Sequence, residues 1–427
     1  MKNKKETLLI LTILITICII IFNRDKLYEA KYTEPKDTLL AITINGEIST
    51  TFPTTNAYTG IVECTTGTGK VEWNGTKWIL TTSGITEGNT KCNAVFNKKL
   101  TFAETILANN EVKAPITTPG AAVSTADEAL LASTEDDYGT SYYFRGAVKN
   151  NYVQFANKCW RIVRVGGDGS VKLILHNDNT TGAANPCDSA NNSTSAAFAR
   201  FSGTTYKSAF NTNYNDNAYV GFKYGTAGAS DYAPTHANTN NSTILTNLET
   251  WYNNNLTTYE KVIDDTVWCN DKTNVTDTSY DPWSITPNGL GYAKNVTYYG
   301  ATQRLVSKSN SAGGTGPSLK CNGELSKINS KVGLITADEL AFAGYAYRQN
   351  NTTTYLQENA TDTYWWSLSP GGFGGSGADV WNVGGSSGGL GNGGVNNTVG
   401  VRPSISLKST TNVTGEGSSS SPYIISM

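Results

Sequence analysis

Residues 364–407 read YWWSLSPGGFGGSGADVWNVGGSSGGLGNGGVNNTVGVRPSISL. It opens on an alternating aromatic run, residues 364–368, and closes on an apolar run, residues 399–407; both predict strands. Between them the chain is mostly Gly, Ser and Asn. Apolar anchors nevertheless return at Phe373, Val380, Trp381, Val383, Leu390 and Val395. A flexible linker carries no such anchors, so the segment predicts strands and turns on a fixed frame whose outward positions are small and polar.

The order WWSLSP, a Gly/Asn-rich segment containing VWNV, then GVRPSISL resembles the C-terminal part of C-type-lectin-like domains of bacterial surface proteins. That group is similar to the formylglycine-generating-enzyme-like fold and to variable proteins diversified by retroelements. The resemblance continues upstream through YYFRGAVKNNYVQFANKCWRIVRVGGDGSVKLIL (142–175), LETWYNNNL (248–256) and VGLITADELAFAG (332–344), roughly the last two thirds of the chain. It implies an α+β fold in which residues 141–427 form a C-type-lectin-like domain of twisted antiparallel sheets with two short helices. It also implies a ligand-binding face on the strands and loops after the WWSLSP strand. Here that face would carry Phe373, Asp379, Trp381, Asn382, Asn392, Asn396 and Asn397. Exposed aromatics stack on sugars or anchor a protein partner, and Asn amides exchange hydrogen bonds with either. Trp365, Trp366, Val380 and Val383 are expected in the core, and Arg402 as a structural hydrogen-bond hub.

Two family chemistries do not carry over. The formylglycine-generating relatives use a cysteine pair near the end of the domain, whereas no cysteine follows Cys321. Calcium lectins of this fold use an acidic or amide-Pro-Asn/Asp triplet and a Trp-Asn-Asp. Here Trp381-Asn382 is followed by Val383 and the triplet is absent. No metal and no cofactor are therefore expected.

The rest of the chain sets compartment and partners. Of 427 residues, 16% are charged and the formal charge is −2, which leaves no basic field to hold nucleic acid. The content of 23 Tyr, 9 Trp and 42 Gly fits a β-rich extracellular protein. Lys2, Lys4 and Lys5 precede an apolar run at residues 8–22, the layout of a secretory signal or signal anchor within residues 1–27. No small-x-small cleavage site follows, so a retained membrane anchor with an extracellular C-terminal part is expected, with cleavage and secretion as the alternative. Cys64, Cys92, Cys159, Cys187, Cys269 and Cys321 then lie outside the cell, where an even number predicts disulfides. Pairing of neighbours keeps each bridge within one unit.

Short β-type runs at 38–112 predict a small all-β, sandwich-like module with an Asn74-Gly75 hairpin turn and Trp78 packed on a disulfide. GTGK at 67–70 lacks the preceding glycine and following Ser/Thr of a phosphate loop. Residues 113–140 read as a linker with a short helix at 127–131. A hairpin is expected around Gly166-Gly167-Asp168-Gly169, then an ordered insertion at 177–241 anchored by Phe198, Phe201, Phe210, Tyr214 and Tyr219. Ser242 caps one helix, continued by 258–263, and Thr336 with Glu339 forms the capping box of Ala337–Ala343. His176 and His236 are placed in exposed polar loops, and Asp136-Asp137 and Asp264-Asp265 are read as solvated or structural acids, so no residue is assigned a catalytic role. The expected function is non-catalytic: a cell-surface, adhesin-like protein recognising glycan or protein through residues 371–398. The alternatives are an envelope-associated hydrolase with unassigned acids, or a passive surface coat.

Overall fold

Alternating apolar positions and Asn/Gly turns make the N-terminal strands. In the computed structural model, which describes residues 39–85 and 90–426, β1 (Leu39–Ile44), β2 (Glu47–Ser49), β3 (Tyr58–Cys64), β4 (Thr68–Trp73), β5 (Trp78–Ser83) and β6 (Cys92–Lys98) form one six-stranded sheet in the order β2-β1-β6-β3-β4-β5. The β1/β6 pair is parallel and the others antiparallel. One face of this single sheet gathers Ile42, Val71, Trp78, Ala94 and Phe96. At the β4–β5 turn Asn74 Oδ1 accepts from the amides of Thr76 and Lys77, and Gly75 adopts φ +100°, a conformation suited to glycine. Trp78 packs edge-on against Phe96 at 5.0 Å and donates its indole N–H to Thr55 O at 2.9 Å. A disulfide joins Cys64 to Cys92, cross-strand neighbours in β3 and β6.

The chain divides into two compact units after Lys99. The second opens with α1 (Phe102–Asn109), a helix set by a capping box in which Thr101 accepts from the Glu104 amide and Glu104 from that of Thr101. Residues 127–131 do not form the expected helix. They lead into β7 (Ala129–Asp136), which pairs along its whole length with β8 (Gly139–Gly146). The acids that make the stretch look solvated are buried: Glu128 meets Arg145 at 2.9 Å and Asp136 meets Arg164 at 2.8 Å. Leu130, Leu131 and Ala132 enter the core.

β8 continues into an eight-stranded sheet with β9 (Tyr152–Phe155), β10 (Lys158–Val165) and β11 (Val171–Asn177). The β10–β11 hairpin turns at Gly169, φ +79°. After the insertion, α2 (Thr243–Asn255) is capped by Ser242 and buries Leu245, Leu248, Trp251 and Tyr252; a 3₁₀ turn, Thr257–Tyr259, follows rather than further α-helix. α3 (Ala337–Ala343) carries the Thr336/Glu339 capping box. A second, six-stranded sheet is built on β12 (Trp365–Phe373), β13 (Ala378–Val383) and β14 (Leu390–Gly394), joined by Thr297–Tyr298, Val399–Gly400 and Lys207–Ser208. The chain then returns to the first sheet: β15 (Ser404–Leu407) pairs with β11 and β16 (Tyr423–Ile425) with β9. One apolar core joins both sheets and the helices.

The described chain is thus mixed α+β, mostly sheet with few helices. Disulfides also link Cys159 to Cys187 and Cys269 to Cys321. The apolar segment 8–22 lies outside the described residues, among which no helix is long and apolar enough to cross a membrane.

Candidate functional site

The Gly/Asn-rich segment folds as the β12–β13–β14 meander, and its anchors set which side chains remain outside. Phe373, Val380, Trp381, Val383, Leu390 and Val395 are all buried. Trp381 packs edge-on against Tyr347 at 5.7 Å and donates to Thr302 Oγ1 at 3.2 Å. Phe373 and Trp381, expected on the binding face, are therefore core residues. A large aromatic in a sequence of small polar residues is the main source of burial energy available there, and the core takes it.

Four of the remaining residues come together. Asp379 faces Gly394 across the ladder, and Trp381 faces Asn392, so the period of two puts Asp379, Asn392 and Gly394 on one side together with Trp381, which is itself buried. A Cβ built on Gly394 would lie 3.1 Å from Asn396 Oδ1, 3.9 Å from Asn397 Nδ2 and 3.9 Å from Asp379 Oδ1. One built on Gly371 would lie 3.4 Å from the Asn392 Cβ. The glycines thus leave a shallow floor bordered by a carboxylate and three amides. Asn382 is buried on the opposite side with Gly391 and Gly393, and Asn397 Nδ2 borders that side too, 3.4 Å from a Cβ built on Gly393.

None of these four side chains hydrogen-bonds to, or ion-pairs with, any described residue, although Asp379 is half-buried. Burial pushes its carboxyl up to about 6, because desolvation disfavours the charged form. Tyr214, expected as a core anchor, is 46% exposed. Its backbone carbonyl accepts from Ala378 N, and a Cβ on Gly377 would touch its ring at 3.8 Å. An exposed ring thus borders the start of β13, and only the tertiary path of the insertion puts it there.

The two histidines and Arg402 are enclosed. His176 and His236 are buried rather than exposed: His176 lies in β11 with its ring edge-on to Tyr152, and His236 Nε2 meets Gly291 O at 2.8 Å. Burial drives His176 well below its usual value and His236 down to about 3, so both are neutral and enclosed. Arg402 is buried, donating to the carbonyls of Leu175 and Leu356 over the Trp365 ring. Among the described residues no group of three His, Cys, Asp or Glu side chains is arranged to hold a metal ion. No family model matches the chain, and neither curated proteins nor solved structures give a significant match.

Proposed function

We propose that this is a non-catalytic cell-surface binding protein. In this reading the second unit is a C-type-lectin-like domain that presents the β13–β14 face to a glycan or protein ligand, and residues 8–22 hold the chain in the membrane. Three kinds of observation support it. The chain closes on itself through β15 and β16, three capped helices, α1 to α3, accompany the sheets, and the disulfides suit an oxidising exterior. The observation that carries the binding role is the set Asp379, Asn392, Asn396 and Asn397. Unspent donors and acceptors beside glycines are what a polar ligand replaces water upon.

The test is a binding screen of the oxidised full-length chain against glycan arrays and envelope or host proteins, with and without calcium, beside an Asp379→Ala/Asn396→Ala variant. A specific ligand lost in the folded variant is the expected result. Binding indifferent to those changes would move the site elsewhere. A chain that is abundant at the surface and binds nothing would be a coat.

A further inference from the structure

A cleft of about 240 Å³ opens in the second unit beside the half-buried Cys269–Cys321 disulfide, lined by none of the residues of the β13–β14 face. Its wall carries as many acids as bases, and its floor is an ion-pair network. Arg164 donates to Glu339 Oε1 and Asp136 Oδ2, and Lys172 to Glu339 Oε1 at 2.6 Å. Arg304 donates to both oxygens of Asp338 and to Asp271.

Counting hydrogen bonds rather than charges gives the cleft a direction. Every floor carboxylate oxygen already has a donor. The amides of Tyr138 and Gly167 reach Asp136, and those of Thr273 and Ser318 reach Asp271 and Asp338. The Thr336 amide reaches Glu339 Oε2. The donors are not used up. Arg164 Nη2 has no partner among the described residues, and Lys172 has spent one of its three N–H bonds. The hydroxyls of Thr336 and Ser369 accept from Glu339 N and Ala337 N and keep their own protons free. All four surround Glu339 and the start of α3, and all line the cleft. What is missing is an acceptor. The balanced charge of the wall disfavours a polyanion, and the volume admits a molecule of monosaccharide or amino-acid size.

We infer that this cleft binds a small monocarboxylate, its oxygens received by Arg164 Nη2, Lys172 Nζ and the Ser369 and Thr336 hydroxyls, with Tyr138 at the mouth against the body of the ligand. Charge-assisted bonds of this kind separate a carboxylate from its amide.

The test is calorimetric titration of the oxidised full-length chain with glucuronate and N-acetylalanine, each against its neutral amide. The expected result is saturable carboxylate binding at least about tenfold tighter than the amide. Whichever carboxylate binds identifies the source as an acidic sugar or an amino-acid terminus. Arg164→Lys keeps the charge but loses Nη2, and should weaken binding about tenfold. Val267→Trp, which fills the cleft, should abolish it. Asp379→Ala should leave it unchanged, which keeps this result independent of the β13–β14 face. Equal affinity for acid and amide, no saturation by about 10 mM, or binding that survives Val267→Trp would overturn the inference. If Arg164→Lys does not fold, the acid/amide comparison on the unmodified chain decides.

Discussion

Asp379 has an unspent carboxyl with a displaced titration, and the two properties have one origin. Burial without a partner lifts it to about 6, from an ordinary value near 4. Between those values the folded chain keeps a proton that the unfolded chain has released, so this group's contribution to stability falls as pH rises through the window. Asp379→Asn removes the titration. It should stabilise the chain by about 2 kcal/mol at pH 7.5 and by little at pH 4 in urea unfolding; an equal difference at both would mean a carboxyl that titrates as in water. The apolar anchors of this segment were legible from their spacing, as was the hub role of Arg402. Which aromatics face solvent was not, because Phe373 and Trp381 stand among glycines that look the same from either side of a strand. Lys272 was equally hidden: it is buried, and its ammonium donates to Lys223 O, His236 O and Asn238 Oδ1. Burial pushes it down to about 7.

At the scale of elements, local signals were read where they were self-contained. The Ser242 cap and the Thr336/Glu339 box each start a helix at the expected residue. The same signal at Thr101/Glu104 starts α1 inside the stretch 38–112 read as all-β, and this helix belongs to the second unit. The β7–β8 hairpin was not legible, because its acids are neutralised only once it has folded, by Arg145 in its own second strand and Arg164 in β10. Glu128 looks like one more acid in a linker, yet it and Arg145 are fully buried and 2.9 Å apart, and the guanidinium also reaches the carbonyls of Ala341 and Phe342 at the end of α3. Burial alone would raise the Glu128 carboxyl, but the Thr117 hydroxyl and Arg145 outweigh it and hold it below its usual value. Its contribution is therefore present above about pH 4 and lost as pH falls through the folded value. Glu128→Gln leaves Arg145 buried without its charge partner and should cost about 3 kcal/mol at pH 7. Adding Arg145→Met should recover much of that loss. A Glu128→Gln chain as stable as the parent in urea would show that the pair does not hold the hairpin to α3.

Across the whole molecule, three disulfides stand in for core that a Gly-, Asn- and Thr-rich chain supplies sparingly. Neighbour pairing links cysteines 28, 28 and 52 residues apart, and closing a 28-residue loop constrains the unfolded chain by about 3 to 4 kcal/mol. The bridges differ in what surrounds them. Cys159 and Cys187 are fully enclosed beside Tyr152, whereas Cys269 and Cys321 are half-buried and line the charged cleft. Thiol–disulfide exchange needs a thiolate to reach a sulfur, so access sets the order of reduction while the fold is intact. Mild reductant followed by alkylation and mass spectrometry should label Cys269 and Cys321 before Cys159 and Cys187, which stay protected until the second unit unfolds. Thermal unfolding of the singly reduced chain should remain cooperative but begin at a lower temperature, since the loop carrying Leu319 and Cys321 is then tied down mainly by the Cys321 amide on Asp137 and the Ser318 amide on Asp338. Simultaneous labelling of all four cysteines would mean that the second unit opens globally before either bridge is attacked, and that its core is weaker than the burial of its tryptophans implies.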